Sequence, residues 1–234
     1  MTDLIVMALP QDLVKPSAEW IGSEMRGAIA ARGSCALALA GGRTPEPVYH
    51  ELAADTGIDW DKVDLFFTDE RAVPPEDPES NYGMVRRALL SRVPMPAGRV
   101  HRMEAESPDR EAAARSYELS LPLQLDMVVL GVGQDGHTAS LFPGSAVLDE
   151  RRRLVVPVAG PKPPPNRLTL TPPVIENARR VAVIATGQDK AVVIARAIEG
   201  PWAPREIPAQ LARRGRWFLD QAAAEFLTAR RVPT

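Results

Sequence analysis

Short apolar runs alternate with amphipathic segments along this chain, and this alternation constrains its fold more than any other feature. Such a pattern favours βα units and a mostly parallel sheet. The candidate strands cover residues 4–7, 35–40, 63–67, 127–131, 154–158, 181–185 and 217–219. In open α/β sheets the ligand lies beyond the carboxyl ends of the strands. We therefore expect the functional residues on the loops that follow these strands.

Two helices in the first third of the chain have clear terminal signals. Pro16 is predicted to lie at the first turn of a helix that ends before Gly33, because proline suits a helix start and glycine suits the position just past the end. Ser80 is predicted to be the N-cap of a helix that continues to Leu90.

Three later helices are predicted on similar grounds. Ser107 is expected to be the N-cap of one, with Pro108 at the first helical position. Another is predicted over 190–198, with Asp189 or a neighbour as its cap and a Gly-Pro pair after it. The last is expected over roughly 221–229.

Composition narrows the class of protein. The 234 residues are 45% hydrophobic and 25% charged, which predicts one globular domain over 1–234. The net charge of −2 argues against a nucleic-acid or anionic-membrane partner. No apolar run is long enough to span a bilayer, so we expect a cytoplasmic protein.

The sequence leaves the oligomeric state open, with a monomer favoured. The single cysteine, Cys35, is predicted to be a core residue.

The loop after the second strand contains Gly41, Gly42, Arg43 and Thr44. Glycines let the backbone approach a ligand closely, and the N–H groups at the start of the next helix suit a phosphate. Glycines at a tight βα turn are also common for structural reasons alone, so this loop by itself leaves both interpretations open.

The loop after the third strand begins with Asp69, Glu70 and Arg71. A run of charges is usually a solvated turn. Its position at the carboxyl end of a strand gives the functional interpretation equal weight.

Residues 127–144 read MVVLGVGQDGHTASLFPG, an apolar strand that leads directly into three glycines, an acid and a histidine. His137 suits general-base chemistry because imidazole changes charge near neutral pH, and Asp135 is placed to orient it. Gly136 frees the backbone between them. The third glycine is misplaced for a dinucleotide fingerprint, no further ligands complete a metal site, and no Gly-x-Ser-x-Gly elbow supports a serine hydrolase. We therefore expect neither a metal nor a cofactor.

Several cations are predicted to lie on loops at the same edge of the sheet. Lys162, Arg167 and Lys190 are singly most typical of solvated surface charges. Together with Arg43 and Arg71 they form a set that could neutralise a phosphate.

These loops resemble those of the 6-phosphogluconolactonase family. The resemblance runs almost end to end and is most specific over 135–143, DGHTASLFP. Arg43 is a departure, since the family usually has a small Ser or Thr after the two glycines. In fold, the resemblance implies a three-layer α/β domain of modified Rossmann topology with a mostly parallel sheet, similar to glucosamine-6-phosphate deaminase and ribose-5-phosphate isomerase.

In function, the resemblance implies hydrolysis of 6-phospho-D-glucono-1,5-lactone, a small-molecule substrate, in the oxidative pentose phosphate pathway. His137 would be the general base and Asp135 would hold its tautomer, while Arg71 would face the oxyanion. Asp69 and Glu70 would position Arg71 or sugar hydroxyls. The predicted catalytic residues are His137, Asp135, Arg71 and Asp69, and the predicted substrate contacts are Gly41, Gly42, Arg43, Thr44, Glu70, Gly136, Lys162, Arg167 and Lys190.

Two other interpretations remain. A sugar-phosphate isomerase or deaminase on the same fold would use an acid near Asp69 to move a proton at C2. A sugar-phosphate sensor would bind the same ligand without chemistry, and the first strand at Leu4 leaves no room for a DNA-binding domain before it.

Overall fold

The computed structural model describes residues 2–228, which form two β-sheets flanked by helices. The strands are β1 (Asp3–Met7), β2 (Cys35–Leu39), β3 (Val63–Phe67), β4 (Asp69–Arg71), β5 (Met127–Leu130), β6 (Val155–Ala159), β7 (Asn166–Leu170), β8 (Arg180–Ala185) and β9 (Arg216–Asp220). The α-helices are α1 (Val14–Arg32), α2 (Glu46–Leu52), α3 (Asn81–Val85), α4 (Arg110–Ser120), α5 (Pro172–Asn177) and α6 (Ala191–Ile198).

The main sheet has six parallel strands in the order β1-β9-β8-β5-β2-β3. From β2 the chain proceeds outward to β3, whereas from β5 it proceeds in the opposite direction to β8 and β9. The strand order therefore reverses between β2 and β5. In open α/β sheets, a crevice forms at such a switch point, outside the carboxyl ends of the strands. The fold thus places the loops after β2 and β5 side by side.

A second, antiparallel sheet of three strands has the order β4-β7-β6. Neither β4 nor β7 was predicted from the sequence. The prediction that residues 154–158 belong to the parallel sheet is wrong, because β6 pairs antiparallel with β7 instead. The proline-dense stretch 160–165 is the turn of this β6–β7 hairpin. Arg167 therefore lies on a strand and not on a loop, directly opposite Arg71.

The early helices agree with their predicted signals. In α1, Ile21, Met25 and Ala28 are buried at helical spacing, so one face packs on the sheet. The helix begins at Val14, after a 3₁₀ turn at Pro10–Leu13, and ends at Gly33 in the left-handed region. Ser80 caps α3, since its hydroxyl accepts a hydrogen bond from the Gly83 N–H, and the helix continues as a π turn at Arg86–Leu90.

Three later predictions need correction. The N-cap of α4 is Asp109, whose carboxylate accepts from the Ala112 N–H at 2.9 Å, and not Ser107. The cap of α6, predicted as Asp189 or a neighbour, is the neighbour Lys190, but its side chain makes no capping hydrogen bond and a 3₁₀ turn at Gln188–Lys190 precedes the helix. The segment 221–226 forms turns and not a helix, and position 229 lies outside the described residues. In this segment the Asp220 carboxylate accepts a hydrogen bond from the Ala223 N–H.

The core lies around the main sheet. Every residue of β5 is buried, and so are all residues but one in each of β2, β3, β8 and β9. Cys35 is fully buried, as predicted, and burial raises the pKa of its thiol to about 12. It is therefore a neutral packing residue. In the described part of the chain, no helix is both long and apolar enough to cross a membrane.

Candidate active site

A cavity of about 400 Å³ lies at the switch point between β2 and β5. The loops after both strands line it, together with the end of β4, the β6–β7 hairpin and the turn before α6. Ten of the thirteen residues predicted to form the site are among its lining residues: Gly41, Gly42, Arg43, Thr44, Asp69, Arg71, His137, Lys162, Arg167 and Lys190. The topology thus brings together residues from five separate segments of sequence.

The loop after β5 is folded tightly back on itself. The Gly133 N–H donates to the carbonyl of His137, and the Gly136 N–H donates to the carbonyl of Gly133, both at 2.9 Å. A Cβ atom at Gly133 would lie 2.1 Å from Nδ1 of His137, closer than real Cβ contacts come. Gly136 has a φ of +85°, which favours glycine. The chain folds in this way because these positions carry no side chain.

Asp135 and His137 form a hydrogen-bonded pair at the end of this loop. Oδ1 of Asp135 lies 2.5 Å from Nδ1 of His137. A carboxylate accepts, so this contact places the proton on Nδ1 and leaves Nε2 able to accept another. The imidazole also contacts the ring of Phe142, with centroids 4.9 Å apart. His137 is therefore held in one tautomer and supported on one side.

The hydrogen bond between Asp135 and His137 should make a pH-dependent contribution to the free energy of unfolding. The hydrogen bond from His137 lowers the pKa of Asp135 to about 2, below the ordinary value of about 3.9. A carboxyl with a lowered pKa contributes stability above its unfolded value and loses that contribution as the pH falls through the folded value. The difference in unfolding free energy between wild type and Asp135→Asn should therefore be constant above about pH 5 and shrink towards pH 2.

Denaturant unfolding at a series of pH values measures this difference. The effect should be modest, because the Asp135 side chain is 36% exposed and solvent screens it. In a His137→Ala background, Asp135→Asn should give the same difference at every pH. A difference independent of pH in the wild-type background would contradict the assigned pair.

Asp69 lines the cavity but is largely buried, and each of its carboxylate oxygens accepts a hydrogen bond. Its Oδ2 accepts from the Ser140 hydroxyl at 2.5 Å and its Oδ1 accepts from the Asn81 amide at 3.1 Å. Ala139 has a φ of +47°, an unusual backbone for a residue with a side chain. This bend lies between His137 and Ser140 in the chain. Ser140 thus joins the His137 loop to β4.

Arg71 and Glu70 have different surroundings although they are adjacent. The Arg71 guanidinium lines the cavity, donates through Nη1 to the Glu79 carbonyl at 2.5 Å, and has a buried Nε without a partner. Glu70 is 3% exposed and accepts from the backbone N–H groups of residues 71, 81 and 82 and from the Ser80 hydroxyl. Burial raises the pKa of Glu70, and these hydrogen bonds partly offset the rise. Glu70 therefore holds α3 in place.

Three cations line the cavity without an acidic partner. Within residues 2–228, Arg43, Lys162 and Lys190 form no ion pair with a carboxylate within 4.0 Å. Burial lowers the pKa of Lys190, and neighbouring Asp189 and Asp220 act in the opposite direction. An unpaired cation that is partly desolvated interacts strongly with an anion. The cavity is therefore suited to a ligand that carries negative charge.

Three residues of the predicted site lie outside the cavity lining: Asp135, Glu70 and Gly136. Asp135 acts through His137, and Gly136 packs against Val193 and Ile207. Among the polar residues that line the cavity, three were not predicted as site residues, namely Asn81, Gln134 and Asp189. No local signal in the sequence indicated Asn81, because its contact with Gly41 exists only in the folded chain, where a Cβ at Gly41 would lie 1.8 Å from the Asn81 amide oxygen.

A larger groove of about 600 Å³ lies at the opposite, amino edge of the strands. Three of its four arginines are paired with carboxylates: Arg32 lies 2.8 Å and Arg179 3.4 Å from Asp126, and Arg180 lies 3.0 Å from Glu24. This groove therefore has less free charge for a ligand than the smaller cavity. Within residues 2–228, no three His, Cys, Asp or Glu side chains lie together in a way that could hold a metal ion.

Comparison with known proteins agrees with this architecture. A family profile described as glucosamine-6-phosphate isomerases/6-phosphogluconolactonase matches residues 8–219. The chain belongs to this family.

Several members of the isomerase/lactonase family are similar to this chain over nearly its full length. The 6-phosphogluconolactonase of Homo sapiens is 39% identical, over 91% of this chain and 92% of that protein. The solved 6-phosphogluconolactonase of Trypanosoma brucei has a TM-score of 0.86 at 28% identity and covers 97% of this chain and 99% of its own. A monomeric glucosamine-6-phosphate deaminase has a TM-score of 0.82 at 20% identity, with 96% and 99% covered. The predicted fold class is confirmed.

Proposed function

We propose that this chain hydrolyses 6-phospho-D-glucono-1,5-lactone to 6-phospho-D-gluconate in the oxidative pentose phosphate pathway, in the cytosol. The observation that carries the proposal is one cavity that contains both a carboxylate-oriented imidazole and unpaired cations. The imidazole suits water activation at an activated ester, and the cations suit a phosphate. The lactonases among its relatives support the same reaction.

The reaction needs one proton to move twice. Nε2 of His137 takes a proton from a water molecule as its oxygen attacks C1 of the lactone. The tetrahedral intermediate then breaks the bond between C1 and the ring oxygen, and the imidazolium returns the proton to that oxygen as it becomes a hydroxyl. Asp135 stabilises the imidazolium and keeps Nδ1 protonated throughout. No covalent intermediate with the protein forms.

The negative charge that develops on the C1 carbonyl oxygen requires hydrogen-bond donors next to that oxygen. Arg71 is the candidate, because it lines the cavity and its side chain is only 23% exposed, which strengthens its interaction with negative charge. A preorganised donor of this kind typically contributes about 10²–10³-fold to the rate. Asp69 is not the base in this scheme, since both its oxygens already accept hydrogen bonds from Asn81 and Ser140.

Lys190→Ala tests the phosphate end of the site. Hydrogen bonds to charged groups contribute about 1.5–3 kcal/mol, so KM should rise by about ten- to a hundredfold. Turnover should change little, because the lysine binds the phosphate equally in the ground state and the transition state. Steady-state kinetics give both constants. Lys15→Ala, at an exposed lysine paired with Glu19, is the control and should leave both unchanged. An unaltered KM in the Lys190 variant would exclude Lys190 from the phosphate site.

Two assays on wild-type protein test the proposed function itself. The first follows acid release from freshly generated 6-phosphogluconolactone, and the second follows ammonia release from glucosamine 6-phosphate. The lactonase proposal expects activity in the first alone. Ammonia release without lactone hydrolysis would support a deaminase, and inactivity in both, with binding of the sugar phosphate, would support a sensor.

A further inference from the structure

Arg167 has contacts that a phosphate-binding arginine does not need. On one side, its Nε donates to the carbonyl of Pro164 at 3.2 Å and its Nη2 donates to the carbonyl of Lys162 at 3.4 Å. Both carbonyls belong to the β6–β7 hairpin turn. The arginine thus holds the backbone from which the Lys162 side chain extends into the cavity.

On its other side, Arg167 contacts the segment that follows the general base. Its guanidinium carbon lies 5.5 Å from the centre of the Phe142 ring, and that ring lies 4.9 Å from the imidazole of His137. Its Nη1 also donates to the Ser140 hydroxyl at 3.5 Å. One buried side chain, 8% exposed, therefore touches the supports of both Lys162 and His137.

This junction is closely packed. A Cβ atom at Gly160 would lie 2.8 Å from the Phe142 ring and 3.3 Å from Nε of Arg167. The glycine is needed because the ring and the guanidinium fill the space beside the hairpin. A change in the shape of the residue at 167 therefore shifts both neighbours.

We infer that Arg167 is a positioning residue that fixes the Lys162 hairpin and the Phe142 support of His137 relative to one another. This inference rests on the proposed lactone hydrolysis, in which the phosphate and C1 of one substrate must be held at a fixed separation. Three of the five guanidinium donors have protein acceptors, and its plane covers an aromatic ring. Its charge alone would not supply this arrangement.

The conservative variant Arg167→Lys separates shape from charge. An ammonium keeps the positive charge but has neither the planar fork nor the stacking face. If Arg167 positions the two supports, the variant should raise KM by about tenfold, which is also the effect expected of Lys162→Ala. It should also lower kcat by about ten- to a hundredfold, because small misplacements of reacting groups have effects of this size.

The double variant Arg167→Lys/Lys162→Ala adds a second readout. Lys162 would already be displaced in Arg167→Lys. The KM of the double variant should therefore exceed that of Arg167→Lys by no more than about twofold. Arg213→Lys is the matched control. Arg213 also lies over an aromatic ring, Trp202, and donates to the carbonyls of Ala197 and Gly200, but outside the cavity. It should lose comparable thermal stability and keep both kinetic constants.

Two results would overturn the inference while wild type stays active. One is an Arg167→Lys enzyme whose kcat and KM are both within twofold of wild type. The other is an Arg167→Lys enzyme with unchanged kcat together with a double variant whose KM rises by the product of the two single-variant effects. An inactive wild type would overturn the proposed function and this inference together. If Arg167→Lys does not fold, Phe142→Leu removes the stacking surface and keeps every charge, and its kcat should fall about tenfold. An unchanged kcat in that variant would also overturn the inference.

Discussion

A Gly133→Ala enzyme is expected to lose about a hundredfold in kcat while it remains folded. The added methyl would occupy the space of the His137 ring, 2.1 Å from Nδ1, and would lie 2.7 Å from Oδ1 of Asp135. The imidazole must therefore move, and a displacement of about 1 Å at a reacting group has an effect of this size. Initial rates at saturating 6-phosphogluconolactone measure the loss, and thermal unfolding confirms the fold.

Gly131→Ala is the matched control for this effect. Gly131 precedes Gly133 by two residues in the same loop, yet a Cβ there would meet nothing within 4 Å. Its kcat should stay within about threefold of wild type. Equal losses in the two variants would mean that the loop requires glycine for its backbone conformation and not for the space around His137.

The sequence predicted well those elements whose signals are local. β3 has the predicted bounds, because four of its five residues are apolar and polar residues flank the strand. The Ser80 cap also formed as predicted, since its hydroxyl needs only the N–H three residues later. In the site, the Asp135–His137 pair lies within a single loop, and its hydrogen bond follows from the intervening glycine.

Elements that depend on distant partners were missed. β4 is only Asp69–Arg71, three charged residues that extend because β7 pairs with them about a hundred positions later. The alanine-rich segment after β9 has strong helix propensity. There the side chain of Asp220 binds the N–H groups of Gly187 and Ala223, and turns form instead. Local propensity yields to such tertiary contacts.

The cavity could be located from sequence, but the roles within it could not all be assigned. Arg167 looked like a free loop cation because a run of prolines precedes it, whereas pairing of β7 with β4 and β6 buries it. Asn81 carried no acid–base signal, and its importance follows from its packing against Gly41. Glu70 resembled a site residue but bonds the start of α3.

Replacement of His137 by alanine is expected to have the largest kinetic effect in the protein, a fall in kcat of about 10²–10⁴-fold. The variant keeps the cations that bind the phosphate, so KM should change much less than kcat. His50→Ala is the control, because His50 is exposed at the end of α2, and the variant should retain full turnover. Steady-state kinetics of both variants at one pH give the comparison.

The central claim is that a carboxylate-oriented imidazole in this cavity activates water towards a phosphorylated lactone. The most direct test follows the decay of freshly generated 6-phosphogluconolactone at neutral pH in buffer alone, with wild-type protein and with His137→Ala. We expect rapid decay with wild type and decay close to the buffer rate with the variant. Decay at the buffer rate with wild type, or equally fast decay with both proteins, would contradict it.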